Sequence, residues 1–521
     1  MGAGASTQEM PKTAEEALAA GFSQEQIDRY SRRRRVVDAV MGSLVANAAS
    51  MPTQWFYDLE KLKEYVGEQE LLFFPKPSCF FFHDGTRTQE EHDKIKEYHG
   101  ATIAKAPSLA EASFPGHYAL GDNCPMGELL MGMIELVATF PPNTLVNGND
   151  VAKKYLAWQK TYTGRQSYSM KEFAKNMAGP NEDIVDEAEK ATALAKMSYP
   201  DCGADNTMTE NFAKVVACTL RFSELPLELY LQNLEILIRF QQNSADSKAV
   251  LTGLFLGRMM YKLLEGATIK DAFEESAALC TDEVTTKAVE FVRANVAKPT
   301  FEALDAYGVL MHGEAKAILG HCCMNPHGFV RVLLVVLKAD LDFAGAVQEN
   351  IFACGGNCEA AIMVGALLAA ASGVPDDLAA KFTRAAEARA LIAQAMPSSS
   401  PEVIAVASSE TAASTAPVTL QQTAETSTAL PSEKPLPPAG VASTAEAIKP
   451  TPDSSAGVAA DAADPPVQLK VGDKVRALFA GKGHWYPATV SALNADGTFS
   501  LDYADGDFED DAKREHIQKK T

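Results

Sequence analysis

The chain has 521 residues, 46% of them hydrophobic, and a formal net charge of −21 at pH 7. That length suffices for one large and one small domain with real cores, and the negative charge excludes long-range attraction to nucleic acid phosphates, so nucleic acid is not an expected partner. The first residues, Met1 to Ser6, lack the apolar core of a secretory signal; the nine cysteines show no disulfide-framework spacing; and the longest apolar run, Ala360 to Ala371, is too short to cross a bilayer. A soluble protein of a reducing compartment is expected, cytoplasmic, with the nucleus also open to it.

At the N-terminus, Gly2 with Ser6 fits the Met-Gly-x-x-x-Ser/Thr pattern for N-myristoylation once Met1 is removed, and a merely flexible Gly/Ala start fits equally well. A single acyl chain anchors only marginally, and the only basic cluster nearby, Arg32 to Arg35, reads as a solvated helix end. Residues 1–35 are therefore an extension, with membrane association expected only if Gly2 is acylated.

From about Asp38 to Ile392 the dominant period is helical. After Pro226, which suits a first turn, Leu227, Leu231, Leu234 and Ile238 fall on one face of an amphipathic helix. Similar patterns recur at Ala249 to Leu264, Phe329 to Leu337 and Ala360 to Leu368, without convincing runs of strands between them. Residues 36–396 should form a nearly all-α domain.

Beyond Met396 the composition turns to Ala, Ser, Thr, Pro and Glu. Such a segment buries too little apolar surface to offset chain entropy, so 397–466 reads as a disordered linker whose ends lie roughly 45 Å apart as a random coil. After Val467 the period becomes two. Val475, Ala477 and Phe479, then Tyr486, Ala488 and Val490, then Phe499, Leu501 and Tyr503 alternate with polar neighbours, the last two groups separated by the turn Asn494-Ala495-Asp496-Gly497. A meander of short strands over 467–521 closes most easily as a small barrel.

Several segments of the large domain, in order, carry a resemblance. Ala39-Val40-Met41-Gly42-Ser43-Leu44-Val45-Ala46-Asn47-Ala48-Ala49-Ser50-Met51-Pro52 with Trp55-Phe56-Tyr57-Asp58, then Phe73-Phe74-Pro75 with Pro77-Ser78-Cys79, Gly121-Asp122-Asn123, Asp205-Asn206 and Cys354-Gly355-Gly356-Asn357-Cys358-Glu359 resemble the ADP-ribosylglycohydrolase family, in particular its J-crystallin-like branch. The resemblance implies an all-α orthogonal helical bundle and hydrolysis of the bond between ADP-ribose and an acceptor. It also implies paired Mg²⁺ ions held by carboxylates and hydroxyls, since two such hard ions about 4 Å apart can orient substrate and water together. Carried over by position, Asp122 and Asp205 are the catalytic candidates, and Asp122, Asn123, Asp205, Asn357 and Glu359 the metal candidates, with Asn206 a further neutral donor.

The pattern is departed from at two places. The family's opening motif has Asp where this chain has Asn47, and an ungapped match places Gly356 on an Asp of the late motif. Neutral donors hold Mg²⁺ far less well than anions, so the implied site reads as degraded. Asp122 and Asp205 have a second reading as helix N-caps, against which the order of the motifs favours a remnant of the site. A zinc site from His321, Cys322, Cys323, His327, Cys354 and Cys358 has no paired Cys-x-x-Cys spacing, and these cysteines read as buried free thiols.

Residues Val471 to Ile517 resemble a Tudor or agenet-type module through Gly472-Asp473-Lys474-Val475, Trp485-Tyr486-Pro487-Ala488-Thr489-Val490 and Asp502-Tyr503-Ala504-Asp505-Gly506-Asp507. The resemblance implies an SH3-like barrel with an aromatic cage for a methylated Lys or Arg, built by Phe479, Tyr486 and Tyr503 with Phe508 as a fourth wall and Asp505 as the carboxylate. The same rings could equally be barrel core. Two functions stay open: an ADP-ribosyl-acceptor hydrolase acting on ADP-ribosylated protein and brought to basic or methylated peptides by its barrel, or a non-catalytic relative that binds ADP-ribose or serves as a scaffold.

Overall fold

A computed structural model of the chain describes residues 14–75, 89, 118–180, 187–338, 342–397, 469–478, 485–494, 497–503 and 508–519. Gly2, the Pro77-Ser78-Cys79 segment, the linker from residue 398, Phe479 and Asp505 lie outside the described residues. The chain divides into two units, residues 1–406 and 407–521.

The larger unit is helical. In chain order its helices are α1 (Ala14–Ala19), α2 (Gln24–Ser50), α3 (Leu59–Val66), α4 (Pro125–Ala138), α5 (Gly148–Thr161), α6 (Tyr168–Ala178), α7 (Glu187–Ala195), α8 (Asn211–Phe222) and α9 (Leu227–Arg239). There follow α10 (Lys248–Leu264), α11 (Ile269–Ala277), α12 (Glu283–Asn295), α13 (Thr300–His312), α14 (His327–Val336), α15 (Phe343–Phe352), α16 (Asn357–Ser372), α17 (Asp376–Lys381) and α18 (Ala385–Ala395). Many begin on a capping side chain, which satisfies first-turn N–H groups that no helix can satisfy internally. Asp58 accepts from the N–H groups of Glu60 and Lys61, Asn147 from Asn149 and Asp150, Thr268 from Asp271 and Asp342 from Gly345.

The four periodic segments named above coincide with α9, α10, α14 and α16. In α9 the face carried by Leu234 and Ile238 is buried, extended by Tyr230 and Leu237. Helix α16 is buried from Asn357 to Ala370 on every side, so its sequence is apolar without an amphipathic stripe. It packs along the second half of α2, with α8, α10, α14 and α15 around it. A Cβ on Gly365 would lie 2.2 Å from the carbonyl oxygen of Gly42, and one on Gly42 would lie 2.3 Å from the Cβ of Ala369. The two backbones touch there, which only glycine permits.

One expectation is corrected. The arginines of residues 32–35 do not form a solvated helix end, because α2 starts at Gln24 on a capping box between Ser23 and Gln26. They sit inside α2, and all but the exposed Arg34 tie it to its neighbours: Arg32 donates to the Ser223 carbonyl and lies 4.5 Å from the Tyr261 ring centre, Arg33 pairs with Glu224, and Arg35 donates to the Leu264 carbonyl.

The smaller unit is a five-stranded antiparallel sheet, β1 (Lys474–Leu478), β2 (Trp485–Leu493), β3 (Phe499–Tyr503), β4 (Phe508–Ala512) and β5 (Ile517–Lys519), in the order β4-β3-β2-β1-β5. Val475, Ala477, Ala488, Val490 and Leu501, five of the alternating residues of the sequence, are its buried face, joined by Leu469, Ala512 and Ile517, while Phe499 is partly buried and Tyr486 exposed. The meander has five strands rather than three. β4 and β5 lie at the two ends of the sheet with no ladder between them among the described residues, so the observed element is a sheet and not a demonstrated closed barrel.

Candidate functional site

The end of α2 and the start of α16 meet at a buried polar junction centred on Asn47. Its Nδ2 donates to the Cys358 carbonyl at 3.0 Å and to Cys124 Sγ at 3.1 Å. Its Oδ1 accepts from Asn123 Nδ2 at 3.2 Å and from the Cys124 N–H at 3.1 Å. Asn123 Nδ2 also donates to the Leu44 carbonyl at 2.7 Å, while its Oδ1 is buried without a partner. Both ends of the Asn47 amide are thus engaged by the fold itself.

A second layer follows one turn on. Gln54 accepts from the Cys358 N–H at 2.8 Å and donates to Glu359 Oε2 at 2.7 Å, so one amide holds both the α16 N-terminus and its carboxylate. Asn357 Nδ2 donates to the Thr53 carbonyl at 3.0 Å, and its own carbonyl accepts from Asn350 Nδ2 at 2.8 Å; the Oδ1 atoms of Asn357 and Asn350 are buried and unpartnered. Burial pushes the Glu359 carboxyl above its ordinary range, opposed by the Gln54 bond and by the charges of Arg331 and Arg165. Burial likewise raises the Tyr57 hydroxyl well above its usual value, and the nearby Cys323 and Glu359 groups add to it.

Tight turns bring these groups together. Gly355, at φ 66°, would place a Cβ 2.2 Å from the His321 carbonyl oxygen, so only glycine fits. Gly356 has an ordinary φ of −74°, but a Cβ there would lie 3.0 Å from Cys323 Cβ and 3.3 Å from Glu359 Oε2. Beneath the turn, the fully buried Arg331 donates to the carbonyls of His321 and Cys354 through Nη2, with Nε and Nη1 unpartnered.

The sequence candidates divide. Asn123, Asn357 and Glu359 belong to this junction. Asp122 faces elsewhere: its carboxylate accepts from the Ala119 N–H at 2.7 Å and from the Thr383 hydroxyl at the foot of α18. Asp205 is exposed, and its N–H serves Glu172. Neither is an N-cap, since Cys124 precedes α4 and Glu210 precedes α8. Asn206 bonds Ser169 and Gln242. Among the described residues no group of three His, Cys, Asp or Glu side chains is arranged to hold a metal ion. Of the residues weighed as zinc ligands, His321 is engaged by Asp305 and the Ala353 carbonyl, and His327 by His312, while Cys322, Cys323, Cys354 and Cys358 are in no disulfide.

A family model described as ADP-ribosylglycohydrolase matches residues 28–405. The chain belongs to this family. Among solved structures, a chain described as "ADP-ribosylglycohydrolase-related protein complex" is similar at 13% identity and a TM-score of 0.39, covering 70% of this chain and 98% of that one. No curated protein matches. The family segment begins inside α2, before residue 36, in keeping with the helix start at Gln24.

Within this ADP-ribosylglycohydrolase chain several groups carry no signal in the sequence. Glu210 is fully buried with neither carboxylate oxygen hydrogen-bonded; one turn on, Lys214 donates to Gln242 at 3.1 Å and is pushed down to about 8 by burial, against the pull of Glu210. Glu128 Oε2 accepts from both Tyr118 and Tyr162, at 2.7 and 2.6 Å. Trp55 stood in the opening motif and Gln54 did not, and only tertiary contacts give them roles; Arg165, whose guanidinium lies 5.1 Å from the Trp55 ring centre, belongs to no motif.

Proposed function

We propose that this ADP-ribosylglycohydrolase relative binds ADP-ribosyl groups without a magnesium pair, as a non-catalytic member close to the J-crystallin-like branch. The observation that carries the reading is Asn47. At the position of a family carboxylate stands a neutral amide whose oxygen is taken by two N–H donors and whose nitrogen points at the Cys358 carbonyl. Among the described residues hydrogen-bonded into this junction Glu359 is the carboxylate, itself held by Gln54, and the unpartnered side-chain oxygens of Asn123, Asn350 and Asn357 are those of neutral amides. That donor set does not fit a hard dication, which requires several anionic or carbonyl oxygens in octahedral array. Calorimetric titration with ADP-ribose in Mg²⁺ and in EDTA tests it: equal binding in both and no release of ADP-ribose from ADP-ribosylated protein are expected. EDTA-sensitive hydrolysis that Asp205→Ala abolishes would overturn the reading in favour of an active hydrolase.

For the C-terminal sheet we propose recognition of a basic or methylated peptide. Tyr486 pairs across from the buried Ala477 yet is 38% exposed, which suits a ring at the open end of the buried face. In an NMR titration of the full chain, a methylated basic peptide should shift Tyr486 more than its unmethylated form does; identical shifts would assign the rings to core packing alone.

A further inference from the structure

The segment that leaves α2 is laced to the turn before α16 over three successive residues. Gln54 accepts from the Cys358 N–H and donates to Glu359 Oε2, the Trp55 N–H donates to the Gly355 carbonyl at 3.1 Å, and the Gly355 N–H donates to the Phe56 carbonyl. Trp55 takes φ 67°, a left-handed conformation costly for a bulky side chain, so these bonds hold a path the chain would not adopt alone. Tyr57 comes next, its backbone fixed on one side by Phe56 and on the other by Asp58, which caps α3. Tyr57 is half-buried, yet its hydroxyl has no hydrogen-bond partner among the described residues, where a phenol at that depth ordinarily finds one. Burial first, then the neighbouring Cys323, Glu359 and Cys322, outweigh Arg331 and keep this phenol protonated. Cys323 and Glu359 adjoin each other across Gly356, where a Cβ would lie 3.0 Å from Cys323 Cβ and 3.3 Å from Glu359 Oε2. Glu359 is itself oriented: Gln54 holds Oε2 at 2.7 Å, Oε1 accepts from no side chain among the described residues, and 8% of the residue stays open.

We infer that the Tyr57 hydroxyl and the Glu359 carboxylate together bind a ribose hydroxyl of the ADP-ribosyl ligand. The inference rests on the proposed function for the choice of ligand. A protonated phenol has a hydrogen to donate, and a carboxyl that receives Gln54 on Oε2 offers Oε1 as an acceptor. An alcohol placed between them uses both of its own capacities, accepting from Tyr57 and donating to Glu359. A carboxylate repels a diphosphate, so the alcohols of ADP-ribose, and not its phosphates, complement this pair. Carboxylates recur against ribose hydroxyls in nucleotide sites for the same reason. Tyr57 determines specificity here, because a ligand without an alcohol at this point leaves both protein groups unpaired.

The test is calorimetric titration of the full-length protein as wild type, Tyr57→Phe, Glu359→Gln and the double variant, with thermal melts to confirm folding. The ligands are ADP-ribose, ADP, which lacks the terminal ribose, and the hypoxanthine analogue of ADP-ribose, in which an oxygen replaces the adenine amino group. Tyr57→Phe removes one oxygen and keeps the ring, and it should weaken ADP-ribose by roughly 2- to 10-fold, the worth of a neutral hydrogen bond. Glu359→Gln should weaken it by roughly 10- to 100-fold, because Gln54 Nε2 keeps the remaining oxygen and turns the new NH₂ toward the ligand. Since both groups act on one alcohol, the double variant should bind little worse than Glu359→Gln alone. Weakening of ADP-ribose but not of ADP in Tyr57→Phe assigns the terminal ribose, and equal weakening of both assigns the adenosine ribose. In either case the hypoxanthine analogue should lose as much as ADP-ribose does; an analogue indifferent to Tyr57→Phe would give the contact to the adenine edge and overturn the inference. Equal ADP-ribose affinity in wild type and Tyr57→Phe, or fully additive single variants, would also overturn it and leave the proposed function standing. No binding of ADP-ribose by folded wild type would overturn both.

Discussion

Replacing Asn47 by aspartate tests the polar junction directly. In Asn47→Asp the side chain keeps an oxygen for Asn123 Nδ2 and the Cys124 N–H but loses the donor that now reaches the Cys358 carbonyl at 3.0 Å. An ionised carboxylate would face that carbonyl in a position with 0% exposure, so the new carboxyl should take a proton and donate it to Cys358 instead. The cost of holding it protonated sets a ceiling on the destabilisation. With an unfolded pKa near 3.9 and about 1.36 kcal/mol per pH unit, the ceiling is roughly 1.5 kcal/mol at pH 5 and roughly 5 kcal/mol at pH 7.5. The sign follows from a raised folded pKa: the unfolded variant loses its proton first, so the penalty is absent below about pH 4 and grows as pH rises. Urea denaturation of wild type and variant at both pH values, with and without millimolar Mg²⁺, reads it. The expected result is a gap between the two proteins that widens by about 2 to 3 kcal/mol from pH 5 to 7.5, with the wild type indifferent to Mg²⁺. A pH-independent gap, or none, would refute the assignment of Asn47 as an obligatory donor. Mg²⁺-dependent stabilisation of the wild type would refute the reading of the junction as one that rejects the ion.

The backbone contact between α2 and α16 makes Gly365→Ala severe for a single methyl group: with Gly42 oxygen 2.2 Å from the new Cβ, about 3 kcal/mol of stability should be lost by urea denaturation, and a loss under 1 kcal/mol would show that the helices separate easily. Burial, with His312 and Lys248 adding to it, pushes His327 down to about 4, and its Nε2 lies 2.9 Å from that of His312. A depressed base is protonated in the unfolded chain before the folded one, so stability should fall by roughly 3 kcal/mol as pH drops from about 6.5 to 4. In His327→Gln that slope should flatten in pH-dependent melts, and an unchanged slope would assign it to other groups.

Much of the architecture was legible in the chain itself. Helix α9 announced itself through Leu234 and Ile238 after Pro226, and the sheet through the alternation of Val475, Ala477, Ala488, Val490 and Leu501, because burying one face of a regular backbone imposes its period on the sequence. Motif order also located Asn47, Asn123, Asn357 and Glu359, which proximity then united. The true start of α2 was missed because Arg32, Arg33 and Arg35 look like solvent-facing charges, and only partners two hundred residues away, such as Ser223 and Leu264, reveal them as ties.

The local pattern of side chains by itself determined the helices and the small sheet. Tertiary structure alone decided which groups share the site. Asp122 leaves it for Thr383, Gln54 bridges Cys358 and Glu359 across 304 and 305 positions, and Arg165 comes to rest on Trp55. The physical reason is that periodicity records only whether a residue is buried, whereas hydrogen bonds and ring contacts depend on distances between segments that the chain brings together only when its core packs.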